Sequence, residues 1–150
     1  SETRNQETFP SKITINFYFC SLGEEEKLVL EKRTIKGGSL QSAIINAVQQ
    51  LLKGPDKSYH FPVIPGGTKL LDVEVYENIV KINLSEEFLE KSLDTRILDE
   101  YIIYSIVDTV TEIPGIDGVI FYIEGKRIKA YGNVDLSIPA IRNEDYLEKD

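Results

Sequence analysis

The stretch LLKGPDKSYHFPVIPGGTKLLDVEVYENIVKINLSEEF, residues 51–88, decides the fold of this chain. Gly54 followed by Pro55 predicts the end of a helix, because glycine accepts a left-handed turn and proline cannot continue the helical hydrogen bonding. Residues 62–67 hold two prolines and a pair of glycines, a composition typical of a loop. The stretch therefore predicts a helix, then a loop, then strands.

The second half of the stretch predicts a β-hairpin. Apolar and polar residues alternate on both sides of Glu77-Asn78. The apolar positions are Leu71, Val73, Val75, Val80, Ile82 and Leu84. A two-residue connection between alternating strands is typical of a tight turn, and Asn78 is expected to take the positive φ that such a turn needs.

Further strands lie on both sides of this stretch. Residues 12–20 and 27–35 predict two strands joined by a turn, in which the acidic run at residues 24–26 is expected to be solvated. The charged run at residues 31–33 (Glu-Lys-Arg) predicts that the second strand lies at an edge or is half-exposed. Residues 118–124 are rich in β-branched and aromatic residues, which predicts an interior strand.

Two helices are predicted between these strands. Ser39 is the candidate N-cap of the first, whose apolar residues recur at helical spacing as far as Leu52. The second is predicted over about residues 95–113 and ends at Pro114-Gly115. Its inward face is expected to contain Leu98, Ile102, Ser105, Ile106, Thr109, Val110 and Ile113.

The order β-β-α-β-β-α-β predicts an α+β fold, in which two helices pack on one face of a small mixed sheet of about four to five strands. A single domain is predicted over residues 12–142. Residues 1–11 are interpreted as a linker or the remnant of an anchor, and residues 143–150 as an acidic tail that frays.

Composition limits the classes of function. The chain has 150 residues and a formal net charge of −8. An acidic domain repels nucleic-acid phosphates and anionic lipid headgroups, so neither is an expected partner. No apolar run approaches the roughly 18–20 residues that cross a bilayer. Because the sequence has no methionine, we expect that residue 1 is not the natural translation start. Either a targeting or anchoring segment has been removed, or the chain is a piece cut from a longer protein.

The sequence predicts no catalytic, cofactor or metal site, and it does not identify residues that bind a partner. The run at residues 66–69 (Gly-Gly-Thr-Lys) precedes a strand, whereas a phosphate-binding loop precedes a helix, so the run is interpreted as a turn. One cysteine and one histidine, Cys20 and His60, cannot form a zinc site, and Cys20 is expected to be a partly buried strand residue. Glu86-Glu87 fits the start of a helix, where the helix dipole favours acidic residues.

Several runs in their order resemble the GerM domain family. They are LEKRT (residues 30–34), LLKGP (51–55), IPGGTKLLDV (64–73), VKINLSEEF (80–88), YSIVDTVTEIPGI (104–116) and FYIEGK (121–126). The resemblance covers roughly residues 13–138. Family members usually have an aspartate where this chain has Asn83, which puts any role of that aspartate in question here.

The resemblance implies a fold similar to ring-building-motif domains and a domain outside the cytoplasm, held to the membrane only through an N-terminal anchor. In spore formers the family works at the membranes between mother cell and forespore, where it supports the assembly of a complex. Other envelope or sporulation proteins are therefore the expected partners, with a homo-oligomer or ring as a further expectation. The family has no established catalytic residues, so the chain is not expected to be an enzyme.

Three hypotheses of function remain at this point. The leading one is a non-catalytic, extracytoplasmic protein-interaction domain that supports a membrane-associated sporulation or germination complex. The alternative, motivated by the aromatic run at residues 59–61 (Tyr-His-Phe), is a small-ligand or cell-wall glycan binding module of a surface lipoprotein. The third is an envelope hydrolase that uses two carboxylates, although no spacing in the sequence indicates a particular pair.

Overall fold

The computed structural model of the chain describes residues 9–22, 26–90 and 97–148. In chain order its main elements are β1 (Lys12–Leu22), β2 (Glu26–Lys36), α1 (Leu40–Lys53), β3 (Leu70–Tyr76), β4 (Ile79–Leu84), α2 (Asp99–Val110), β5 (Gly118–Ile123), β6 (Lys126–Arg127), β7 (Ala130–Tyr131), β8 (Val134–Asp135) and β9 (Ala140–Ile141). Two short 3₁₀ helices, Glu86–Leu89 and Glu144–Tyr146, complete the described elements.

The main sheet contains β3, β4, β5 and β6 in that spatial order, and β9 pairs with β5 as well. β3 and β4 form an antiparallel hairpin, as predicted, whereas β4 and β5 are parallel. Parallel neighbours need a crossover connection, and the segment that contains α2 provides it. The predicted α+β class, with two helices and a mixed sheet, is confirmed.

β1 and β2 form a hairpin that is separate from the main sheet, and β7 and β8 form a second small antiparallel pair. The strand pattern in the sequence does not specify this division. The hairpin still shares one hydrophobic core with the helices and the main sheet. That core includes Ile15, Phe17 and Phe19 from β1, Ile44, Val48 and Leu51 from α1, Ile102, Ile106 and Val110 from α2, and Val80, Ile82 and Phe121 from β4 and β5. Burial of this apolar surface is the main favourable term in folding.

The orientation of β2 corrects one prediction. Its odd-numbered side chains face the core, so Glu31 is buried and Arg33 is mostly covered, while Lys32 and Thr34 are exposed. The predicted edge position is confirmed, since β2 lies at the edge of its two-stranded sheet. Half-exposure is wrong for Glu31, because Arg33 and donors from residues 56–60 surround its carboxylate.

The helix ends follow their capping residues. Ser39 caps α1 as predicted, since its Oγ accepts a hydrogen bond of 3.0 Å from the Ser42 N–H. α2 is shorter than predicted and begins at Asp99. Leu98, which was predicted to face inward, precedes the helix with an extended backbone and is 47% exposed.

The turn between β3 and β4 also differs from its prediction in detail. Glu77 takes the positive φ, at 55°, instead of Asn78. Asn78 binds the loop before β5: its C=O accepts a hydrogen bond of 2.7 Å from the Asp117 N–H, and its Nδ2 donates to Asp117 Oδ2 at 3.1 Å. These two contacts hold Asn78 in place, and Glu77 is the residue of this turn that adopts the left-handed backbone conformation.

The acidic tail is docked on the domain as far as Glu148, although the sequence predicts fraying. Tyr146 and Leu147 pack against the core, and the Glu148 N–H donates to Leu28 O at 2.7 Å. Residues 24 and 25 of the predicted acidic turn, and residues 95 and 96 of the predicted second helix, lie outside the described residues. Within the described part of the chain, no helix is long and apolar enough to span a membrane.

Candidate interaction surface

The exposed face of the main sheet carries aromatic and aliphatic side chains. We define this outer face by Glu74, Tyr76, Ile79, Lys81, Ile120 and Tyr122, which line a depression of about 400 Å³. Ile141 of β9 lies opposite Gly118 in the strand register and extends the same face. Tyr76 is 78% exposed and Ile141 is 64% exposed. Contiguous apolar surface of this kind is typical of contact sites.

Local contacts give the outer face its shape. Lys81 Nζ lies 4.1 Å from the centroid of the Tyr122 ring, a favourable cation–π contact, and 3.8 Å from Glu74 Oε1. Gly118 leaves space for Ile79, because a Cβ at position 118 would lie 3.0 Å from Ile79 Cδ1. The shape of the depression therefore depends on a glycine where the strand would otherwise carry a side chain.

The edge of β1 that faces away from β2 is closed by side chains from the α2 segment. Ser105 Oγ donates to Tyr18 O at 2.6 Å, and Thr109 Oγ1 accepts from the Tyr18 N–H at 3.2 Å. One turn further, Glu112 Oε1 accepts from the Asn16 N–H at 3.2 Å. Buried backbone groups need partners, and helix side chains here replace a neighbouring strand. This edge is therefore closed to strand addition over these residues.

Glu31 is the centre of a buried polar cluster that holds the loop after α1. Its carboxylate accepts hydrogen bonds from the N–H groups of Asp56, at 2.9 Å, and Lys57, at 3.3 Å. It also contacts Arg33 Nη2 at 3.1 Å and His60 Nδ1 at 2.5 Å. Burial alone would raise the pKa of Glu31, but these hydrogen bonds outweigh it and lower the pKa to about 2. A carboxylate with donors on both oxygens is anchored, and it is not poised to act as a base.

Arg142 is the centre of a second cluster, which fastens the tail to α2 and β1. Its Nη2 contacts Glu112 Oε2 at 3.0 Å and the Tyr18 hydroxyl, and its Nε contacts Glu144 Oε2 at 2.6 Å. The Tyr18 hydroxyl donates to Glu112 Oε2 at 2.7 Å. Burial and the neighbouring Glu112 raise the pKa of Tyr18, so this hydroxyl keeps its proton at neutral pH.

Asp108 is fully buried beside this second cluster. Its Oδ1 accepts a hydrogen bond of 3.0 Å from the Asn143 N–H, and its Oδ2 has no hydrogen-bond partner. Burial raises its pKa to about 6, although the Asn143 N–H and Arg142 oppose the shift. Asp108 is thus held by fewer donors than Glu31, and its charged form is less favoured.

The loop with the paired glycines is a turn, as the sequence predicts. Gly67 has a φ of +85°, and β3 follows at Leu70. Thr68 Oγ1 donates to Pro65 O at 2.6 Å. The Lys69 N–H donates to Ser85 Oγ at 2.8 Å, so the loop is held by contacts with the chain itself.

The aromatic loop does not form one continuous ring surface. The His60 ring is held by Glu31 and contacts the edge of Tyr59, with 4.7 Å between the ring centroids. The backbone of Phe61 pairs with that of Cys20, and Cys20 is buried as the sequence predicts. Glycan binding by this loop stays a prediction.

Acidic side chains are sparse in the surface depressions that the described residues form. Each of four depressions is lined by at most one acidic side chain. Among these same residues, no group of three or more His, Cys, Asp and Glu side chains could hold a metal ion. The envelope hydrolase stays a hypothesis to which these depressions assign no pair of carboxylates.

Comparison with known proteins identifies the family. The sequence profile of the Germane family, which is described as sporulation and spore germination, matches residues 16–129. This match covers more than half of the chain. The chain belongs to the Germane family. The family predicted from the sequence runs is confirmed, and it is a family of sporulation and germination domains that is not a known class of enzymes.

Solved structures agree with the Germane assignment. A predicted lipoprotein from Clostridium perfringens is 26% identical over 89% of this chain and 90% of its own, with a TM-score of 0.62. The tandem GerMN domains of the sporulation protein GerM from Bacillus subtilis are 20% identical, with a TM-score of 0.72; the match covers 92% of this chain and 48% of the tandem chain. The first GerMN domain alone is 18% identical over 92% of this chain and 99% of its own, with a TM-score of 0.61.

This Germane domain thus spans about half the length of the tandem GerM chain, and its likeness to both GerM structures concerns the fold. No curated protein matches the sequence.

Asn83, at the position where the resemblance leads us to expect an aspartate, has a clear contact in this Germane domain. Its Oδ1 accepts a hydrogen bond of 2.9 Å from the Gly125 N–H, and it thereby links β4 to the turn between β5 and β6. An aspartate carboxylate could accept the same bond, since both side chains present an oxygen at this position.

Proposed function

We propose that this Germane domain is a non-catalytic, extracytoplasmic protein-interaction domain that supports the assembly of a membrane-associated complex in sporulation or germination. Its partner is another envelope or sporulation protein, which docks an apolar surface on the outer face. The family assignment supports the process, and the outer face supports the mode of action.

The single observation that carries the proposal is the exposure of the rings and aliphatic side chains on the outer face. Tyr76 stands on β3, Ile120 and Tyr122 stand on β5, and Ile79 and Lys81 of β4 lie between them. Ile141 of β9 extends the patch beyond β5. Tyrosine is enriched in protein interfaces, where it buries a large apolar area and keeps a hydrogen-bonding hydroxyl. Glu74 and Lys81 lie on the same face and give it the polar groups that fix the orientation of a partner.

The proposed location outside the cytoplasm is supported by the lipoprotein description of the Clostridium perfringens relative and by the sporulation family. With a formal net charge of −8, the domain itself has no electrostatic attraction to anionic lipid. We therefore propose that it reaches the membrane through an anchor of lipid or helical type.

Photo-crosslinking in the native cells tests this proposal. A p-benzoylphenylalanine introduced at Tyr76 in the full-length protein is expected to give one dominant adduct with an envelope or sporulation protein. The matched control carries the same group at Asn133, which is exposed in the turn between β7 and β8. Absence of any adduct, or the same adducts from both positions, contradicts docking on the outer face.

Two further outcomes separate the proposal from its competitors. An adduct between two copies of the chain would assign the outer face to the predicted homo-oligomer or ring instead of a different protein. An NMR titration with soluble peptidoglycan fragments is expected to leave the amide shifts of the domain unchanged. Saturable shifts at residues 59–61 would favour the glycan-binding module.

A further inference from the structure

Along the edge of β2 that faces away from β1, backbone groups find no hydrogen-bond partner among the residues that the structure describes. In an antiparallel pair, every second residue of a strand turns its N–H and C=O groups away from the partner strand. Cys20 and Leu28 are paired residues of this kind, because Cys20 bonds Phe61 and Leu28 O accepts from the Glu148 N–H. Leu30, Lys32 and Thr34 therefore turn their N–H and C=O groups to the same outer side. In the described part of the chain, no hydrogen bond reaches these groups. We call this segment the open edge.

Both ends of the open edge are satisfied, which sets its length. At one end Leu28 O accepts from the Glu148 N–H at 2.7 Å, and Leu28 forms a parallel bridge with Leu147. At the other end Asn46 Nδ2 of α1 donates to Lys36 O at 2.9 Å. The gap between them fits an extended peptide of about five residues, given the rise of roughly 3.3 Å per residue in a strand.

The bridge at Leu28 is an existing case of strand addition on this edge. Leu147 runs parallel to β2 and forms a ladder contact one pair before the open edge begins. The local twist and the clearance around β2 therefore admit a third extended segment. The corresponding edge of β1 lacks this clearance, because Ser105 and Thr109 of α2 occupy it.

The charges along the open edge select among extended segments. Lys32 and Lys36 are exposed on β2, and Lys57 and Leu30 line one depression, to which Glu148 contributes an acidic side chain. Lysines therefore outnumber acidic side chains along the open edge. Lysines on an edge strand disfavour pairing with a second copy, which would bring the same lysines opposite. An acidic segment instead gains opposite-charge cross-strand contacts.

Depressions lie at both ends of the open edge and can accept side chains. Leu30, Tyr59, His60 and Leu147 are among the residues that line one of about 430 Å³. Thr34, Asn46 and Gln49 help to line another of about 290 Å³ on the α1 side. In strand addition the main chain supplies hydrogen bonds, and pockets for alternate side chains supply selectivity.

From these observations we propose that the open edge of β2 binds an extended, acidic segment of a partner protein, which adds to β2 as a third strand. This binding uses a surface separate from the outer face, so it stands or falls independently of the proposed function.

A peptide titration followed by NMR tests the proposal. The probe is the acetylated and amidated peptide Glu-Val-Glu-Val-Glu-Val, titrated into the 150-residue protein at low ionic strength. We expect saturable amide shifts at Leu30, Lys32 and Thr34, with slower hydrogen exchange of their N–H groups. The same peptide with lysine in place of glutamate, and one with a central proline that removes an N–H, are expected to bind at least about tenfold more weakly.

Two protein variants check the role of charge. Lys32→Glu is expected to weaken binding of the acidic peptide roughly tenfold, because an attractive surface charge pair becomes a repulsive one and each such pair contributes modestly. The same variant is expected to bind the lysine peptide better, because there a repulsive pair becomes attractive. Lys126→Glu makes the same charge change on exposed β6 and is expected to leave binding unchanged within about twofold.

Three results would overturn the proposal. The first is no shift at the open edge up to several millimolar peptide. The second is equal binding of the acidic and lysine peptides. The third is protection of the Leu30–Thr34 amides that rises with protein concentration alone, because the edge would then be occupied by a second copy. None of these results bears on a crosslink at Tyr76.

Discussion

The outer face and the two polar clusters distribute charged and apolar groups in opposite ways. Glu31, which is buried, and Arg142, which is half-buried, are surrounded by hydrogen-bond partners, and each fixes a loop or tail to the body of the domain. On the outer face, Tyr76 and Ile141 remain in contact with solvent. The difference indicates that the charged groups of the two clusters hold the chain together, while the outer face contributes little to stability and is available for a partner.

Removal of a buried carboxylate is expected to have the largest effect. Glu31→Ala leaves the His60 ring and two backbone N–H groups without the carboxylate that they contact and removes one ion pair of Arg33. This should lower the free energy of unfolding by about 3–5 kcal/mol. The matched control Glu74→Ala deletes an exposed partner of Lys81 and should cost less than about 1 kcal/mol. Urea unfolding of both variants measures the difference. Equal losses of unfolding free energy in the two variants would contradict the proposed difference between the Glu31 cluster and the outer face.

The pH dependence of stability provides the next test. The folded pKa of Glu31, about 2, lies below its ordinary value of 4.5, so its contribution to stability is present above pH 4.5 and is lost as the pH falls toward 2. The loss should reach about 3 kcal/mol, at 1.36 kcal/mol per pKa unit. Unfolding free energies measured between pH 2 and 6 should therefore fall more steeply for the wild type than for Glu31→Gln. Parallel curves would contradict the anchoring role.

Asp108 should show the opposite sign, with a smaller effect. Its folded pKa, about 6, lies above the ordinary value of 3.8, so the native state binds the proton more tightly and loses stability as the pH rises from 3.8 to 6. Relative to the wild type, Asp108→Asn should gain about 2–3 kcal/mol between pH 4 and pH 7, at 1.36 kcal/mol per pKa unit, because the amide carries no charge to bury. Denaturant unfolding of both proteins at pH 4 and pH 7 measures this relative gain. If the difference in unfolding free energy between variant and wild type is the same at both pH values, the prediction is wrong.

The outer face should give the smallest effect on stability. Tyr76→Ala removes a side chain that is mostly in solvent, so the unfolding free energy should change by less than about 0.5 kcal/mol. Thermal and urea unfolding measure this directly. A loss above about 2 kcal/mol would mean that the ring is part of the folding core and not reserved for contact.

Local patterns in the sequence determine the parts of the fold that could be predicted. Ser39 and Gly54 mark the ends of α1, and the alternation around Glu77 identifies the hairpin of β3 and β4. Each of these signals needs only neighbouring residues. The family resemblance used runs of the same kind, and the profile match bears it out.

Contacts between distant segments determine the parts that could not be predicted. Glu31 has the sequence context of an exposed charge, yet its partners come from residues 56–60. The closing of β1 by Ser105 and Thr109, and the docking of Arg142, join residues roughly ninety or more positions apart. The outer face was not identified in advance, because alternation shows which residues share a face and does not show whether anything covers it.

The most direct test of the central claim is the crosslinking yield of the double variant Tyr122→Ala, Ile120→Ala with the photoreactive group kept at Tyr76. We expect the yield of the partner adduct to fall at least about tenfold, since residues at the centre of an interface contribute most to binding. The unfolding free energy should stay within about 2 kcal/mol of the parent protein, because both side chains are only half-buried. An unchanged adduct yield in a folded double variant would contradict the account.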